Sequence, residues 1–213
     1  MHHYTANALS IIALFFILFI SSCEQYSNSG IEESVAFIES TTPIAEAQNV
    51  TMEVRDGYSQ DVHFLIDLSN IQPNDEINDG RKKAWCIEWG QPVIREQQTD
   101  VKLHSTENQV YWNKLNLILN QIDSLKEKHA DLTWKEIQIA IWEIVEYNPF
   151  DIEYIPEYSN FSRNFYEDNE YKFNVELARE IITSIKDHPD EVAGDKYAII
   201  VENEGQILVT TND

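Results

Sequence analysis

The chain has 213 residues, 43% hydrophobic and 11% aromatic, with only six Gly and six Pro. That is enough apolar material for one ordinary core, and it excludes a disordered protein. Against 15 Lys and Arg stand 37 Asp and Glu, a net charge of −22 that repels phosphate backbones, so no nucleic-acid partner is expected.

Near the amino end, Ile11–Ile20 is an unbroken run of ten apolar residues. Such a run is too short to span a bilayer as a helix and has the right length for a signal-peptide core. Ile20-Ser21-Ser22-Cys23 follows. Small residues ahead of a cysteine resemble the lipobox of bacterial lipoproteins. The resemblance implies cleavage before Cys23, diacylation of its thiol and a membrane anchor outside the cytoplasm, with the leaflet left open. An ordinary secretory signal and an uncleaved anchor are the other readings. The segment ahead of the apolar run departs from the pattern, carrying His2 and His3 but no Lys or Arg. Residues 1–22 are thus expected to be a lipoprotein signal peptide, 23–46 a flexible tether and 47–213 the folded domain.

Val50, Met52 and Val54 alternate with polar residues, Asp56-Gly57 offers a turn, and Val62, Phe64, Ile66 and Leu68 alternate again. That is the pattern of a β-hairpin. A polar turn runs from Gln72 to Gly80. Arg81-Lys82-Lys83, read as a solvated turn, then precedes a short apolar segment, Ala84–Trp89. Tyr111, Leu115, Ile118, Ile122 and Leu125 step by four and three along one face of a helix between Gln109 and Lys126. A second helix starts at Thr133, with Glu136 completing a capping box, and extends to about Tyr147 ahead of Pro149. A third covers about Val175–Lys186 and stops before Pro189. The chain closes on strands Tyr197–Glu202 and Gln206–Thr211, joined through Asn203-Glu204-Gly205. Strands at both ends with helices between predict an α+β fold, its terminal strands forming a sheet or partial barrel with an inserted helical subdomain.

Two residues break these patterns. On the second helix Trp134, Ile137, Ile141, Trp142, Ile144 and Val145 form one broad apolar face, and Gln138 lies inside it. A carboxamide in a buried stripe costs about 1–3 kcal/mol unless its polar atoms find partners. Either a neighbouring backbone satisfies it, or its amide carbon is held there to react. The second oddity is Cys86. With Cys23 lipidated, it is the one thiol of the mature chain and has no intramolecular disulfide partner. Either it is simply buried, or its sulfur is engaged in another bond. Arg81-Lys82-Lys83 upstream offers positive charge that favours a thiolate. Two cysteines exclude a Cys-dominated zinc site, and the chain has no phosphate loop, H-E-x-x-H or EF-hand pattern, so neither metal nor cofactor is expected.

Trp85-Cys86-Ile87 and Ile137-Gln138-Ile139-Ala140-Ile141-Trp142 together resemble the thioester domain of bacterial surface adhesins. That family carries a Cys between an aromatic and an aliphatic residue. Downstream, a helix reads aliphatic-Gln-x-x-aliphatic-Trp, often with Thr before the Gln and Ala two after it. Ile137 stands where many members have Thr, and the anchor resembles a lipobox rather than a wall-sorting signal. The resemblance covers about Ala47 to Asp213. It implies that Cys86 supplies the sulfur and Gln138 the acyl carbon of an internal thioester. It also implies a covalent adhesin, not an enzyme, that captures an amine-bearing partner protein or surface. Trp85, Trp89, Trp134 and Trp142 are candidates to keep water from the bond, or simply core residues.

Two other classes stay open. A cysteine hydrolase would use Cys86 with His63, His104 or His129 as base, although each histidine reads as a surface residue. A non-covalent lipoprotein would bind protein or glycan through the aromatic segment of Tyr147, Tyr154, Tyr158, Phe161, Phe165, Tyr166 and Tyr171, unless that loop packs its own side chains.

Overall fold

The computed structural model describes residues 38–58, 61–90, 93–145, 150–158, 161–188, 194–203 and 207–213. Cys23 and the apolar run before it lie outside the described residues. In chain order come β1 (Thr42–Pro43), β2 (Val50–Asp56), β3 (Phe64–Ser69), β4 (Gly80–Cys86) and β5 (Gln98–Ser105). Helices α1 (Asn113–Lys128) and α2 (Trp134–Ile144) follow, then the small hairpin β6 (Tyr166–Glu167) and β7 (Glu170–Tyr171). Helix α3 (Val175–Asp187) leads to β8 (Ala198–Glu202) and β9 (Leu208–Thr211).

Six antiparallel strands among the described residues close into a barrel in the order β5-β2-β3-β4-β9-β8, and β8 pairs back onto β5. Closure leaves the ring without a free edge of the kind that recruits foreign strands. The alternation does the sorting. Val50, Met52 and Val54 on β2 and Phe64, Ile66 and Leu68 on β3 are buried, and the residues between them are half-buried. β8 is buried on both faces from Ala198 to Val201, because α1 packs against it. The fold is α+β, with the terminal strands completing the barrel and the helices inserted between β5 and β8.

Helix α2 packs on α1, α3 and β4, and every residue of it except Lys135 and Glu143 is buried. Its start is fixed by the Thr133–Glu136 capping box. Glu136 is 1% exposed, and its carboxylate also accepts from the N–H of Asn174, the N-cap of α3, at 2.6 Å. One buried carboxylate therefore ties the first turns of two helices together.

Four details differ from the pattern-based expectation. β4 begins at Gly80, so Arg81-Lys82-Lys83 is strand rather than solvated turn; Arg81 pairs across to Asp67 on β3. β5 is a barrel strand that no alternation announced. α2 ends at Ile144, and Tyr147 lies outside the described residues. Within the segment read as tether, Thr42 and Pro43 pair with β5, Ile44 is buried, and Trp112 Nε1–H donates to the Ser40 carbonyl.

Candidate functional site

Cys86 ends β4 where the seam with β3 opens. The β3–β4 ladder stops at Phe64 opposite Ala84, and its register carried two residues further would set Val62 opposite Cys86. Val62 never arrives, because Val62 and His63 close back on Gly57. Val62 N–H donates to the Gly57 carbonyl and Gly57 N–H to the His63 carbonyl, both at 3.2 Å. The turn requires glycine: a Cβ at Gly57 would stand 2.6 Å from Val62 Cγ1 and 2.8 Å from the Phe64 backbone.

The carboxamide of Gln138 takes the vacated place. Its Oε1 accepts from Cys86 N–H at 2.9 Å, and its Nε2 donates to the Cys86 carbonyl at 2.8 Å. A side chain from α2 thus mimics a peptide unit and completes the ladder that β3 leaves unfinished. Backbone N–H only donates and C=O only accepts, so the orientation of the amide is set. Gln138 is 0% and Cys86 2% exposed. The two sequence-predicted residues, 52 positions apart, meet in a dry site.

A third group joins them. His63 Nδ1 lies 2.7 Å from Gln138 Oε1. That oxygen only accepts, so Nδ1 carries the proton. Burial pushes the His63 pKa down to about 4; the Gln138 bond opposes that shift and the charge of Arg95 adds to it. The ring is neutral at pH 7, an uncharged N–H donor. His63 is therefore not the surface residue that its polarity suggested, and nor is His104, which is 4% exposed with Nε2 2.8 Å from Glu202. His129 is part-buried beside Glu180 at 3.7 Å.

Aromatic rings wall the site. His63 stacks on Trp134 at 4.7 Å and meets Trp142 edge-on at 6.2 Å. Trp89 joins the same cluster through Phe150, which also touches Trp142. Trp85 does not. The pleat turns it to the other face from Cys86, where it lines a cleft with Leu119 and Ile122 of α1. From the aromatic segment, Phe161 and Phe165 pack on Trp142, while Tyr154 stands 51% exposed. Lys83, the nearest of the upstream cations, is three residues from Cys86, about 10 Å along a strand. Its charge falls away from the thiol.

Two N–H donors on one carbonyl oxygen draw electron density from the amide carbon, and the residue that supplies one of them also carries a thiol. This arrangement suits acyl transfer. Among the described residues no group of three or more His, Cys, Asp or Glu side chains could hold a metal ion, and no helix is long and apolar enough to cross a membrane.

No family model matches the chain, and no curated protein matches it. Among solved structures it is similar to the N-terminal thioester domain of a surface protein from Clostridium perfringens. The identity is 10% and the TM-score 0.45, over 76% of this chain and 97% of that chain.

Proposed function

We propose that Cys86 and Gln138 close an internal thioester, and that this bond captures a nucleophile, a Lys amine, on a partner protein or cell surface. The observation that carries the reading is the buried Gln138 carboxamide seated on the backbone of Cys86 itself. In the closing step the Cys86 sulfur bonds to the Gln138 amide carbon. The carbon–nitrogen bond breaks, and ammonia leaves with the thiol proton. In the capture step an amine adds to the same carbon, the carbon–sulfur bond breaks, and sulfur takes up the proton that the amine releases. An amide then joins the two molecules.

The thioester persists because the site is dry, and a bound partner supplies its amine at high effective concentration. The chain acts once, as a covalent adhesin rather than a turnover enzyme. A cysteine hydrolase would need a histidine lone pair at Cys86, and Nδ1 of His63, a donor to Gln138, has none to offer. We place the protein in the bacterial cell envelope, held by lipid on Cys23.

One preparation tests both parts. The full chain with Cys23→Ala, which cannot be lipidated, should weigh one ammonia less than its sequence. Its Cys86 should resist alkylation under denaturing conditions until methylamine opens the bond, which leaves the chain one CH2 group heavier than its sequence and frees the thiol. A full unmodified mass with a freely alkylated Cys86 ends the thioester reading. The unsubstituted chain should take up labelled fatty acid and stay with membranes; equal labelling of the Cys23→Ala chain ends the anchor.

A further inference from the structure

We propose that His63 is a catalytic residue of this chemistry. Its Nδ1–H and the Cys86 N–H form an oxyanion site for the Gln138 carbonyl oxygen, used when the thioester closes and again when an amine opens it. The inference rests on the Cys86–Gln138 thioester proposed above and assigns that bond its electrostatic partner.

Both donors already sit at 2.7 and 2.9 Å from the oxygen on which negative charge develops. When sulfur or an amine adds to the amide carbon, the carbonyl electron pair moves onto that oxygen. The two N–H groups then face an oxyanion in a buried site, where each is worth far more than in solvent. As the tetrahedral carbon collapses, the pair returns and expels nitrogen in the closing step or sulfur in the capture step. His63 keeps its proton throughout. It stabilises charge and is not a base.

The ring is built to hold one position. It stacks on Phe64 at 4.0 Å and on Trp134 at 4.7 Å, and meets Phe165 edge-on at 6.0 Å. Its backbone carbonyl is pinned by the Gly57 N–H. A donor fixed before the reaction costs no reorganisation during it. Burial, with the charge of Arg95 adding to it, disfavours an imidazolium, so the donor carries no net charge that would trap the oxyanion as a stable ion pair.

The test removes the donor and keeps the space. In the full chain with Cys23→Ala, methylamine incorporation is followed by intact mass and expressed per thioester-bearing molecule. His63→Leu, near in size and without a donor, should react about a hundredfold more slowly. His63→Asn is smaller but sets an amide N–H where Nδ1 stood, and should stay within about tenfold of the unsubstituted rate. A residue that only fills space gives the opposite order, and either that order or a His63→Leu rate equal to the unsubstituted one overturns the proposal. Should His63→Leu fail to fold, His63→Ala and His63→Asn decide it: both leave room and only Asn donates, so equal rates overturn it. If the unsubstituted chain shows no loss of ammonia, the thioester and the role of His63 fall together. A thioester that forms and reacts normally without a donor at position 63 overturns His63 alone.

Discussion

Helices α1 and α2 each press a buried carboxamide onto the barrel wall, and the two oxygens are held by matching sets of donors. Asn116 on α1 accepts at Oδ1 from the Thr106 hydroxyl at 3.0 Å and from Ala198 N–H at 2.8 Å. Gln138 on α2 accepts at Oε1 from His63 Nδ1–H at 2.7 Å and from Cys86 N–H at 2.9 Å. Both oxygens have one side-chain and one backbone donor, and both residues are buried. The difference lies in who supplies the backbone donor: Ala198 offers a methyl group, Cys86 a thiol. Asn116 is a strut that satisfies a helix–strand junction. The same strut next to a sulfur becomes a candidate acyl group, so one atom separates architecture from chemistry.

Substitutions can break that pairing. The largest effect is on capture: Cys86→Ala and Gln138→Ala should each abolish methylamine incorporation, while Asn116→Ala leaves it unchanged per folded molecule. Incorporation by Gln138→Ala at the unsubstituted level would make the two carboxamides equivalent and remove the thioester. Acid sharpens the comparison next, because only the Gln138 oxygen has a titratable donor. His63 has a folded pKa of about 4 against an ordinary 6.5, so the unfolded chain takes up its proton first. The stability this contributes is whole above about pH 6.5 and is lost as the pH falls through 4, about 3 kcal/mol in all. Urea midpoints at pH 7 and 4.5 should therefore drop further for the unsubstituted chain than for His63→Asn; equal drops would place the titration elsewhere. The smallest effect is on the strut. Asn116→Ala strands the Ala198 N–H and should cost about 1–3 kcal/mol in urea unfolding, and no measurable loss would mean that water replaces the amide.

Local pattern carried much of the fold. The β2–β3 hairpin, the three helices and the closing strands each announce themselves through period two, period 3.6 or a cap. β5 does not. Only Val101 and Leu103 alternate within it, and it becomes a strand because β2 and β8 supply hydrogen bonds along both of its edges. The site divides in the same way. Gln138 is legible as a polar residue inside an apolar helical face, and Cys86 as a thiol without a disulfide partner. His63 was not. It precedes Phe64 on the polar side of an alternating strand, which reads as solvent-facing until α2 covers it. Trp85 fails for the converse reason: adjacency to Cys86 in sequence means opposite faces on a pleated strand.

The unfinished ladder between β3 and β4 also governs the fate of a molecule that has reacted. The Cys86 carbonyl is served by the N–H of the Gln138 amide, and a thioester has no N–H to give. In the proposed chemistry the seam loses one rung when the bond closes. An arriving amine leaves a neutral amide at the same place. Water instead leaves a carboxylate oxygen facing the carbonyl oxygen, two acceptors in a dry site, at a cost of about 1–3 kcal/mol. On the proposed chemistry, productive and wasted encounters thus end in barrels of unequal resilience.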